Sequence, residues 1–116
     1  MSDETLRRAM LFDFYGELLT EKQREYYDLH YNDDLSLSEI AEQTGISRQG
    51  VWDIIRRAED VMTDMEEKTG MVRRSLERND AVAGIRETLE TLRKSADAAT
   101  AAALDGVLKK LDELKG

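Results

Sequence analysis

The chain has 116 residues, 41% hydrophobic and 36% charged, with a formal net charge of −8, no cysteine, no proline and one histidine, His30. That length gives one domain of the usual ~100–200-residue class, with room for an appended helical arm but not for a multidomain enzyme. Without thiols or a second imidazole, disulfide scaffolds, thiol nucleophiles, zinc sites and histidine triads are removed, so no catalytic group, cofactor or metal is expected.

Absent proline, sparse glycine and apolar residues recurring at three and four positions predict an all-α chain. In the first segment Leu6, Met10, Phe14 and Leu18 repeat at four, with Leu11 widening the stripe, which predicts a helix over about 4–17 that Gly16 weakens at its end. Thr20 and Gln23 spell a capping box before a helix over 21–31, where Tyr26, Leu29 and His30 share one side. Asn32-Asp33-Asp34 is a polar turn, and Ser36 with Glu39 opens a short helix that Gly45 ends in the left-handed conformation. Ser47 caps a fourth helix, whose stripe of Val51, Ile54, Ile55, Ala58, Val61, Met62 and Met65 runs to Thr69-Gly70. Two final helices are predicted over 71–94 and 98–114, with a break at Ser95-Ala96-Asp97 and alternating charges on their solvated outer faces.

The domains expected are a helix-turn-helix domain over 1–66 and a C-terminal helical arm over 67–116, packed on the same core. The long fourth helix and the arm carry more apolar stripe than one small trihelical core buries, so a homodimer formed through them is expected. No run approaches the ~20 apolar residues that span a bilayer, and the acidic N-terminus does not match a secretory signal, which predicts a soluble, cytoplasmic protein. Residues 1–64 hold seven Lys/Arg against fifteen Asp/Glu, whereas 65–116 balance ten against ten. The net acidity opposes non-specific adhesion to polyanions, so any nucleic-acid contact must come from a local patch.

Such a patch exists. Two helices crossing at ~90–120° leave little space at their crossing, where Ala41 fits, and the sharp turn takes Gly45; Ile40, Ile46, Val51 and Ile54 then face one another. This is a helix-turn-helix. Its second helix opens with Ser47, Arg48 and Gln49, and Arg48, Trp52 and Arg56 form one stripe with Arg57 beside it. Arg48 and Gln49 are placed for base edges, Arg56 and Arg57 for phosphates, and Trp52 for stacking on an unpaired base. Tryptophan and arginine serve equally as anchors in protein contacts, and Asp53, Glu59 and Asp60 on the same helix weigh towards that use.

The run from Leu19-Thr-Glu-Lys-Gln through Tyr26, Leu29 and Tyr31 to Asp34-Leu-Ser-Leu-Ser-Glu-Ile-Ala-Glu, then Gly45-Ile-Ser-Arg-Gln-Gly-Val-Trp-Asp-Ile-Ile-Arg-Arg, resembles the YlxM family. With Leu11-Phe-Asp-Phe-Tyr-Gly16, the specific resemblance covers about residues 6–66. It implies a fold similar to sigma-factor regions 3 and 4 and a non-enzymatic accessory role in the signal recognition particle pathway. The implied partners are the particle RNA, the GTPase Ffh, or its receptor FtsY. Trp52 stands where that family more often has tyrosine, and Gly50 where it usually has alanine. The remaining alternatives are a sigma-like regulator that reads duplex DNA and a module that binds protein alone.

Overall fold

Side-chain caps fix where the helices begin. In the computed structural model, which describes residues 2–114, α1 (Asp3–Tyr15) starts on Ser2, which accepts from the Thr5 amide at 3.1 Å. The helix α2 (Glu21–Tyr31) starts on a closed capping box of Thr20 and Gln23, and α3 (Leu37–Thr44) on another formed by Ser36 and Glu39. Ser47 caps α4 (Arg48–Thr69) by accepting from the Gly50 amide at 3.0 Å. After α5 (Met71–Arg93), the break over 95–97 makes Asp97 the cap of α6 (Ala98–Glu113), where it accepts from the Thr100 amide at 2.7 Å. Each side-chain oxygen takes one of the amides that a helix start leaves without a partner. Gly45 and Gly70 end α3 and α4 at φ of 76° and 63°, the left-handed region that a Cβ disfavours.

The chain divides into two compact units, Met1–Val72 and Arg73–Gly116. In the first, α4 packs against α1, α2 and α3. Its buried side is Val51, Ile55, Ala58 and Met62, while Ile54 and Met65 are half-buried and Val61 is exposed. Ile40 of α3, Tyr26 and Tyr27 of α2, and Leu11 and Tyr15 of α1 complete that core. Phe12 stacks on Tyr27 with ring centroids 5.5 Å apart.

The apolar stripe of α1 is not its core face. Leu6, Phe14 and Leu18 are 41%, 36% and 55% exposed, and the buried positions are Leu11 and Tyr15. A spacing of four advances about 40° around a 3.6-residue helix at each step, so a period-four row cannot stay turned inward. The α-helix also stops at Tyr15, and Gly16–Leu18 tightens into a single 3-10 turn that leads to the buried Leu19.

A polar hub ties α1 to the end of α4. The Tyr15 hydroxyl donates to Glu66 Oε1 at 2.7 Å and meets Thr69 Oγ1 at 2.6 Å, and the same Glu66 oxygen accepts from the Val72 amide at 2.9 Å. Burial is the main cause that pushes the Tyr15 phenol up from its ordinary pKa.

In the second unit, the remainder of α5 and α6 form an antiparallel hairpin around Val82, Leu108 and Leu111, with Leu89 partly covered. Arg86 pairs with Asp112 at 2.7 Å and with Glu90 at 3.0 Å, and Arg93 reaches Asp105 at 2.6 Å. These charges were expected to be a solvated outer face. They also set the register, because both inter-helix pairs connect positions one heptad apart on each helix.

Candidate nucleic-acid interface

The interface is built on the corner between α3 and α4. Gly45 reverses the chain, and Ile40, Val51 and Ile55 lock the two helices together by full burial, with Ile46 and Ile54 half-buried beside them. The N-terminal turn of α4 is thereby held with its free end towards solvent. Ser47 is spent on the cap, so what it offers a ligand is the positive end of the helix rather than a free hydroxyl.

Arg48, Gln49, Arg56 and Arg57 are exposed. The three guanidinium groups have no side-chain hydrogen-bond or ion-pair partner among the described residues, whereas Arg8, Arg86 and Arg93 are all paired. Gln49 donates to Asp53 Oδ1 at 3.1 Å, which occupies one amide hydrogen and places a carboxylate inside the patch. Trp52, expected to stand out as part of an exposed stripe, is half-buried. It lines an open groove of about 410 Å³ with Leu37, Arg48 and Gln49. Leu37 is the residue that sequence reading missed. As the first residue of α3 its side chain comes to the same groove, a placement legible only once the crossing of the two helices is known.

Gly50 has a spatial role as well. A Cβ placed there would lie 2.7 Å from Ile46 Cγ2 and 3.2 Å from Ser47 Oγ, so the cap and the turn close over a glycine. Glycine here does more than lower helix propensity, because the turn of this chain is packed around the missing methyl.

His30 is part of the structure. Its Nδ1 donates to the Leu35 carbonyl at 2.8 Å and so ties the end of α2 to the segment before α3. Among the described residues no three His, Cys, Asp or Glu side chains are placed to hold a metal ion, and no helix is long and apolar enough to cross a membrane.

The corner and its two helices agree with the comparisons. Residues 2–101 match the model of the UPF0122 family, described as "Putative helix-turn-helix protein, YlxM / p13 like". A UPF0122 protein of Halalkalibacterium halodurans is 44% identical over 115 residues, which cover 99% of this chain and all of that protein. One from Geobacillus kaustophilus is 44% identical over 98% of this chain and 99% of its own length, and one from a Thermoanaerobacter species is 39% identical over 98% of both.

Proposed function

Because the chain belongs to the UPF0122 family of YlxM/p13-like helix-turn-helix proteins, we propose that it binds nucleic acid through the start of α4 and works as an accessory protein rather than a catalyst. The observation that carries this reading is the set of three exposed, unpaired arginines on α4, with Arg48 lining the Trp52 groove and Arg56 and Arg57 one turn further along the helix from Trp52. Arg7 and Arg24 of the first unit have no side-chain hydrogen-bond or ion-pair partner among the described residues either, so it is the gathering of three free arginines on one helix, within ten residues of its start, that suits a phosphate-bearing ligand. The patch is small within an acidic unit, so it does not suit long non-specific tracking along a duplex. A folded RNA with unpaired bases fits better, since the half-buried Trp52 presents a stacking edge and the groove admits one base.

The YlxM resemblance makes the signal recognition particle RNA the ligand to test, with Ffh or FtsY as the associated protein. Arg48→Ala and Arg56→Ala should each weaken binding to that RNA and reduce the slope of log affinity against log salt by about 1 per lost phosphate contact. Unchanged affinity for both variants at two salt concentrations refutes the surface. A preference for duplex DNA over folded RNA, with half-sites a helical turn apart, would move the protein to the sigma-like alternative.

We also propose that the arm pairs with a second copy. Ile85, Leu92 and Val107 are 49%, 54% and 44% exposed on a two-helix unit whose own core is small. A monomeric mass by sedimentation at micromolar concentration refutes this pairing.

A further inference from the structure

A second pocket lies between α1 and the end of α2, and it shares no lining residue with the Trp52 groove. It has a volume of about 400 Å³, and Arg8, Tyr27, His30, Tyr31, Asn32 and Asp34 are among the residues that line it. Tyr27 is 1% exposed, and its buried hydroxyl has no hydrogen-bond partner among the described residues. Buried polar groups are normally hydrogen-bonded, so an unmatched hydroxyl in the pocket lining marks a place where a ligand group would be accommodated.

The chemistry of the wall favours a cation. Asp34 holds its backbone at φ 57° at the rim, exposed and without a partner. Asn32 uses one amide hydrogen on Asp28 and keeps its carbonyl oxygen and a second N–H, while His30 uses Nδ1 on the Leu35 carbonyl and keeps Nε2 for a ligand. Arg7 adds a second positive charge near Tyr27, but the cation of the lining, Arg8, is already engaged. It lies 4.7 Å over the Tyr31 ring and is held by Glu59 at 3.2 Å and Glu4 at 3.4 Å. The Asp34 carboxylate, the Asn32 carbonyl, the Tyr27 oxygen and the aromatic faces together complement a guanidinium with its five donors and flat face. Beyond the rim, Glu21, Glu25 and Asp28 continue an acidic groove along α2 that Arg24 also lines, and Lys22 is the other Lys or Arg of that helix. A phosphate would meet this field unfavourably, whereas a basic segment is drawn to it.

We propose that this pocket and the acidic face of α2 form a docking site for a basic protein segment, with one arginine of that segment inserted beside Tyr27 and Asp34. The site stands apart from the nucleic-acid surface, so each can fail without the other.

The test uses the full chain and a labelled short peptide of alternating arginine and glycine, with a citrulline version that keeps the shape and removes the charge, read by fluorescence anisotropy. The arginine peptide should bind saturably and the citrulline peptide at least about tenfold more weakly. Asp34→Asn should weaken binding about threefold and Tyr27→Phe about fivefold. Because the Tyr27 hydroxyl is unmatched, Tyr27→Phe should keep or raise the melting temperature. Peptide binding that survives Arg48→Ala, whatever that change does to RNA, places it on the second surface. Equal binding of the two peptides, no effect of Tyr27→Phe on affinity, or a clear drop in its melting temperature would each overturn the proposal. Displacement of the peptide by folded RNA in the Arg48→Ala variant would do the same, by giving the pocket to nucleic acid.

Discussion

Replacing Gly50 by alanine sets two effects of known size against each other. Helix propensity favours alanine inside α4 by about 1 kcal/mol at most. Against that, the new Cβ would sit 2.7 Å from Ile46 Cγ2, nearer than packed methyl groups approach, and 3.2 Å from the Ser47 oxygen that caps the helix. Ile46 is β-branched and half-buried, so its methyl is fixed close to the backbone and cannot swing aside as a long side chain would. Overpacking of this kind is unfavourable by about 1–3 kcal/mol, which leaves Gly50→Ala less stable than the wild type by about 1 kcal/mol. In a unit of this size that is a drop of about 4–8 °C in melting temperature, readable by Trp52 fluorescence during thermal or urea unfolding. Adding Ile46→Leu, which removes the methyl from Cβ, should restore the loss in the double variant. A Gly50→Ala protein more stable than the wild type, or a loss that Ile46→Leu leaves untouched, refutes the steric argument.

Tyr15→Phe removes the donor to Glu66 and the partner of Thr69 while keeping the ring, and should lower the stability of the first unit by about 1–2 kcal/mol in urea denaturation, with Glu66 retaining the Val72 amide. The second unit should respond to acid through α6. The bond with Thr100 holds the Asp97 carboxyl below its ordinary pKa, and the bond with Arg93 does the same for Asp105, so both stabilise the folded state above the unfolded value near 4. That contribution is lost as pH falls through the folded values below about 4, and helicity followed by far-ultraviolet circular dichroism should decline there. In Asp97→Asn, which keeps a capping oxygen, the part of the decline due to the cap should be smaller.

Local chemistry made much of this protein legible in advance. Ser36 with Glu39, Thr20 with Gln23, Ser47 and Asp97 mark helix starts because a capping oxygen acts within three residues, and Gly45 and Gly70 mark ends because the left-handed residue is a single position. The corner of Ile40, Gly45 and Val51, and with it the arginine patch on α4, follows from the same short-range spacing. What the sequence left undecided depended on which side faced a neighbour. The row Leu6, Met10, Phe14 and Leu18 is as apolar as Leu11 and Tyr15, and only the positions of α2 and α4 select the latter as core. Likewise the closeness of residue 50 to Ile46, the groove shared by Leu37 and Trp52, and the pocket around Tyr27 join residues whose spacing in the chain carries no signal. Caps and turns are settled by a few neighbouring residues. Burial, pairing and pockets are settled by helices meeting in three dimensions.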